Sequence, residues 1–184
     1  IANADYKAGM EAVKGKDYKK AFAEFKPPAS KGDAESQYAL ALLYQLGRGQ
    51  KPDLLRARYW YEKAAKQNHA GAQNNLGTIY RKGLGVRQNY AKAASWYRKA
   101  APKNGRAMNN LALMHRYGQG VEKSNKEAVR LLRKAGEELR HAKSLYDLGR
   151  LYEKGRGVKK DWDAAFKLYR RAALRGYGRA HYTL

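Results

Sequence analysis

A chain of 184 residues with 39 Lys and Arg against 16 Asp and Glu has a formal charge of +23 and a pI of ≈ 10.2. Cysteine is absent, which excludes disulfides, thiolate catalysis and cysteine zinc sites. No segment reaches the roughly 18 apolar residues of a membrane span. The charges are not in blocks but alternate with apolar residues, as in Arg130-Leu131-Leu132-Arg133-Lys134 and Lys167-Leu168-Tyr169-Arg170-Arg171, so the pattern predicts a folded basic surface rather than a disordered basic tail.

In chain order, residues 1–33 form a divergent first unit. A helix is expected near residues 6–14, and a second follows Asp17, with Tyr18, Ala21, Phe25 and Ala29 at helical spacing. Pro27-Pro28 is expected to end that second helix early. Four better-defined units then occupy residues 34–69, 70–104, 105–141 and 142–179, and residues 180–184 open a further one. Each of the four carries Gly-x-Gly: Gly47-Arg48-Gly49, Gly83-Leu84-Gly85, Gly118-Gln119-Gly120 and Gly155-Arg156-Gly157, in steps of 36, 35 and 37 residues. A period of this size marks a stacked repeat array, whose extended surface suits binding better than chemistry.

Within each unit a small residue (Ser36, Ala72, Ala107, Ser144), a leucine (Leu40, Leu76, Leu111, Leu148) and a ring (Tyr44, Tyr80, His115, Tyr152) recur at i, i+4 and i+8. They make one apolar stripe on a first helix. Alanine, a bulky pair and alanine (Ala57, Trp60-Tyr61 and Ala64 in the first such unit) make a second stripe on a second helix. Small residues let the helix backbones approach, and the rings fill the space beside them. The first glycine of each pair suits a left-handed C-terminal cap, and Asp53, Asn89, Ser124 and Asp161 suit N-terminal caps of the second helix. The expected fold is all-α: a right-handed superhelix of helix hairpins in a single solenoid domain, about five units long.

The pattern A-x-x-x-L-G-x-x-Y-x-x-G-x-G-V…A-x-x-W-Y-x-x-A-A, most literal over residues 72–101, resembles the Sel1-like repeat (SLR) family, a relative of the tetratricopeptide repeats. The resemblance implies a binding scaffold rather than an enzyme, with the first helices lining a concave groove. Counted from the aligned leucines, that face takes Tyr38, Asn74, Asn109 and Tyr146, then Asn75, Asn110 and Asp147. Arg150, Arg81, Arg116, Lys82 and Tyr117 follow. Asn75 and Asn110 fall where clamp-type tetratricopeptide proteins grip peptide carboxylates, although Asp147 breaks the series. Arginine can hold carboxylates in two-pronged contacts, asparagine can pair with a peptide backbone, and tyrosine adds rigid area. A competing reading has the asparagine pairs bonding between adjacent units. Groove binding is the reading preferred from sequence.

No chemical site competes with this. His69 and His141 fall in turns between units, and His115 is expected as a satisfied core imidazole. No metal-ligand spacing and no Gly-x-Ser-x-Gly elbow occurs. The Gly-x-Gly pairs close helices instead of opening them, unlike phosphate loops. No enzyme activity, cofactor or metal is expected. The expected partner is an acidic protein, either a toxin or effector, as in members of the resembled family that guard against type VI effectors, or an envelope component for which the chain serves as adaptor. Nucleic acid or another polyanion is the alternative that the charge supports. Ala2-Asn3-Ala4 resembles the small-residue motif at a secretory cleavage site, which leans toward a periplasmic location; a trimmed domain would give the same start.

Overall fold

The structure, a computed structural model, describes residues 4–181. Helices are the only regular elements among them: α1 Ala4–Lys14, α2 Tyr18–Ser30, α3 Ala34–Leu46, α4 Leu54–Lys66, α5 Ala70–Lys82, α6 Tyr90–Ala100, α7 Gly105–Tyr117, α8 Asn125–Glu137, α9 Ala142–Lys154, α10 Trp162–Leu174 and α11 Gly178–His181. They form two compact units, one ending at Gln88 and the other starting at Asn89.

In the first unit α1 pairs with α2, α2 packs on α3, α3 pairs with α4, and α4 packs on α5. Phe25, Leu40, Tyr61 and Leu76 are fully buried among Ala21, Ala41, Ala57, Ala64 and Ala72. The small residues set this arrangement: a β-carbon on Gly9 of α1 would collide with the ring of Phe25. In the second unit α6 packs on α7, α7 pairs with α8, α8 packs on α9, and α9 pairs with α10. Tyr97, Met114, Leu132, Leu145, Leu148 and Leu151 are its largest fully buried side chains. Gly149 leaves room for Tyr169, whose ring would lie 2.7 Å from a β-carbon there. Of each bulky pair on the even-numbered helices, the second member is the more deeply buried: Tyr61 and Tyr97 are in the core, while Trp60 and Trp96 are half-buried.

Helix ends follow the capping chemistry expected of them. Gly47, Gly83, Gly118 and Gly155 are left-handed C-caps with φ of 64, 69, 68 and 61°. Side chains of Asp53, Asn89, Ser124 and Asp161 accept from backbone N–H groups in the first turns of α4, α6, α8 and α10. The intervening loops are pinned from below: the amides of Asp53, Ser124 and Asp161 donate to the carbonyls of Tyr44, His115 and Tyr152 at 2.9, 2.8 and 3.1 Å. α3, α5 and α7 have side-chain caps of their own, Asp33, His69 and Asn104. His69 acts through Nδ1, 3.1 Å from the Ala72 amide.

Two sequence expectations need correction. Pro27 and Pro28 do not end α2, which runs on to Ser30. The final turn is held by other bonds: Lys31 N–H donates to Pro27, Asp33 N–H to Pro28, and the Gln37 side chain to Ala29 at 3.0 Å. Pro28 and Ala29 are buried in that turn. His115 is half-buried rather than a core group, with Nδ1 3.1 Å from the Glu122 carbonyl oxygen. At the C-terminus α11 begins as the spacing predicts; Tyr182, Thr183 and Leu184 lie outside the described residues.

Candidate partner-binding surface

The residues expected on the inner face separate into those that join repeats and those that remain presented. In the first unit Tyr38 of α3 stacks on His69, with ring centroids 4.3 Å apart, and tilts against Tyr61 at 5.9 Å. Asn75 of α5 hydrogen-bonds the phenol of Tyr61 on α4, and Asn74 Nδ2 donates to Asn75 Oδ1 at 3.2 Å. Tyr61 also donates to Gln45 Oε1 at 2.6 Å. Burial pushes the Tyr61 phenol well above its ordinary pKa, so it remains a neutral donor. Arg81 is half-buried and Lys82 is exposed at the end of α5.

In the second unit Asn109 is only 2% exposed. Its Nδ2 donates to Asp147 Oδ2 at 2.9 Å, and its Oδ1 accepts from Lys143 Nζ at 3.0 Å. Lys143 also bonds Asp147 Oδ2 at 2.8 Å. These three groups form a closed bond between α7 and α9, so Asn109 and Asp147 serve the joint between repeats. Asn110 and Arg150 are half-buried. Tyr146 sits between Tyr169 and Tyr177, at 5.2 and 5.1 Å between ring centroids. Tyr117 is 57% exposed.

Arg116 occupies a repeat position filled by Gln45, Arg81 and Glu153 in the other units. In two of these a tyrosine 16 residues later donates to it: Tyr61 to Gln45, and Tyr169 to Glu153 at 2.5 Å. Sixteen residues after Arg116 stands Leu132, which has no hydroxyl. Arg116 is 8% exposed, and its buried Nε has no hydrogen-bond partner. Its guanidinium carbon lies 5.1 Å from the Tyr117 ring centroid. Arg116, Tyr117, Lys123, Asn125 and Arg156 line a pocket of ≈ 350 Å³ with no acidic residue among them.

Sequence reasoning missed three features. Gln37 and Gln73 are buried and bond the carbonyls of Ala29 and Ala65 in the preceding helices at 3.0 and 3.2 Å. Their shared place three residues before the repeat leucine was the signal available. Tyr59, exposed beside Trp60, lies under Lys63 Nζ at 5.5 Å. The pairing of Arg116 with Leu132 could have been found as the one unit whose bulky pair is Leu-Leu. No cluster of three or more His, Cys, Asp or Glu able to hold a metal occurs among the described residues, and no described helix is long and apolar enough to cross a membrane.

Capped helix hairpins in sequential packing, joined by buried amide bonds, define a helical repeat scaffold. The Sel1 repeat matches over residues 34–69, 70–103, 105–138 and 142–177, and the chain belongs to the Sel1 repeat family, with its all-α SLR solenoid fold. A Sel1 repeat protein from Oxalobacter formigenes is 31% identical with a TM-score of 0.89, covering 96% of this chain and 74% of that one. A protective antigen present in uropathogenic Escherichia coli strains, displaying an SLR fold, is 30% identical with a TM-score of 0.86, covering 96% of this chain and 39% of the antigen. An immunity protein from Pseudomonas aeruginosa shares the fold at 19% identity and a TM-score of 0.65, covering 98% of this chain and 69% of that one. No curated protein gives a match.

Proposed function

We propose that this scaffold binds an acidic protein partner without catalysis, in the manner of an immunity or inhibitor protein that neutralises a secreted toxin, in the bacterial cell envelope. The observation that carries the reading is the excess of 39 basic over 16 acidic residues on a folded helical surface. Such an excess steers an oppositely charged partner and accelerates encounter. The immunity protein from Pseudomonas supports the role by fold alone. An adaptor for an envelope component uses the same surface and differs in the identity of the acidic partner.

The test is titration calorimetry against the acidic product of a neighbouring reading frame, at low and high salt. Affinity is expected to fall as salt rises, and Arg81→Ala with Arg150→Ala is expected to weaken binding about tenfold or more. Salt-independent affinity, or unchanged affinity in the double variant, overturns the reading.

A second reading has one specific observation in its favour. Tyr59, Trp60, Lys31, Lys63 and Lys66 line a pocket of ≈ 480 Å³ in the first unit, a combination of ring and cation that can stack a nucleic-acid base. A mobility shift with single-stranded DNA or RNA at physiological salt, abolished by Tyr59→Ala with Trp60→Ala, would favour it.

A further inference from the structure

Two of the repeats satisfy the side chain that follows the ring position in the same way. Tyr61 donates to Gln45, and Tyr169 donates to Glu153. The repeat over residues 70–103 keeps the tyrosine, Tyr97, with a cation, Arg81, at the acceptor position, whereas the repeat over residues 105–138 has both a cation, Arg116, and an apolar residue, Leu132, in place of the tyrosine. Arg116 thus has no hydroxyl sixteen residues later, is 8% exposed, and has a buried Nε without a hydrogen-bond partner.

A guanidinium is a permanent cation in proteins. Its desolvation is unfavourable unless an anion faces it. Among the described residues that line the pocket none is an anion: they add Lys123 and Arg156, which are exposed and cationic, and Asn125, the first residue of α8. The amide end of α8 contributes a partial positive charge of the same sign. The Arg116 guanidinium lies over the Tyr117 ring. The cationic side chains and the helix end around this space therefore favour an anion, and the planar fork of Arg116 favours two oxygens on one atom.

We propose that the Arg116 pocket is an oxyanion site that takes a carboxylate or phosphoryl group borne on a peptide side chain. Arg116 makes the two-pronged contact, Lys123 and Arg156 close over the outer oxygens, and Leu132 keeps the inner wall free of a competing acceptor. The inference rests on the protein-binding reading above and names the chemistry its partner must present.

Inorganic phosphate is the first probe, added to the intact chain at constant ionic strength while the Arg116 Nε–H resonance is followed by NMR. The expected result is a saturable shift that chloride does not reproduce. A Lys123→Gln, Arg156→Gln double variant, altered only at exposed positions, is expected to bind about tenfold more weakly. Leu132→Tyr, which restores the residue that other repeats accommodate, is expected to weaken binding by giving Arg116 an internal acceptor. A shift that follows chloride, or equal phosphate affinity in both variants, overturns the site.

Peptides then distinguish the source. Displacement of phosphate by a glutamate-rich peptide assigns a carboxylate, and displacement by a phosphoserine peptide alone assigns a phosphoryl group. Saturable phosphate binding that neither peptide displaces overturns the peptide-borne ligand. If the acidic partner protein binds the Lys123→Gln, Arg156→Gln variant at full strength, the pocket is refuted while the scaffold reading stands.

Discussion

Gly157 lies against Asn125, the first residue of α8, so closely that a β-carbon on it would stand 2.5 Å from the Asn125 carbonyl oxygen. Gly49 and Gly120 have the same relation to the backbone of Tyr18 and Tyr90 in the preceding repeat, while Gly85 meets the side chain of Leu54 at 3.3 Å. The first glycine caps its own helix, whereas the second admits the helix before it. The two should therefore respond differently to one substitution. Gly155→Asn keeps a residue that tolerates the left-handed region, against the side chain and backbone of Lys160 at 3.2 Å and beyond, and should cost about 1 kcal/mol. Gly157→Asn must displace backbone and should cost about 2–4 kcal/mol. Urea unfolding of both variants measures the contrast, and equal losses would refute the close-approach role.

Asn109 and Asp147 test whether the asparagine pairs are structural. Removing Asn109 leaves Asp147, 7% exposed, with Lys143 as its remaining described partner. A double-mutant cycle of Asn109→Ala and Asp147→Ala should return a coupling of about 1–3 kcal/mol in unfolding free energy. A coupling near zero would show that the bond does not hold α7 to α9.

Much of this fold was legible because its determinants are local. A left-handed cap needs glycine, a first-turn cap needs a short polar side chain, and a close helix pair needs alanine, so Gly47, Asp53 and Ala57 carry their meaning at any depth in the array. The inner face was less legible because burial there depends on what the next repeat presents. Asn109 reads like a presented amide until Asp147 and Lys143 are set opposite it. Arg116 reads like Arg81 and Arg150 on the groove face until its burial and unbonded Nε are set beside Leu132, which has no hydroxyl.

Pro27 and Pro28 show the same limit for α2. Proline in a helix interior costs about 3 kcal/mol relative to alanine through a lost hydrogen bond and a clash. The helix persists because Phe25, Pro28 and Ala29 are buried and the bonds to Lys31, Asp33 and Gln37 hold the last turn. Pro27 is exposed and Pro28 is not. Pro27→Ala should therefore stabilise the chain by about 1–2 kcal/mol, the regained amide being partly offset by a freer unfolded state. Pro28→Ala should gain less, because it also removes buried ring contacts. Thermal unfolding of the two variants decides, and a destabilised Pro27→Ala would show that the ring itself shapes the turn.

His141 gives the chain an acid-sensitive joint. It occupies the N-cap position of α9, equivalent to Asn104 before α7, but makes no capping bond to the backbone. Its Nδ1 lies 2.8 Å from Ser144 Oγ. Burial holds the imidazole below its ordinary pKa, and the nearby charges of Lys143 and Arg106 act in the same direction, with Asp147 opposing them. A group whose pKa is lower folded than unfolded takes up its proton preferentially in the unfolded chain. Its contribution to stability is complete above the unfolded value of about 6.5 and is lost as pH falls through the lower folded value. Unfolding free energy should thus decline below about pH 6.5. His141→Asn removes the titrating group and supplies a preferred capping side chain, so it should flatten that part of the profile and leave the neutral-pH stability equal or higher. Denaturant unfolding of both chains across this range provides the check, and parallel pH profiles would show that His141 is not the responsible group.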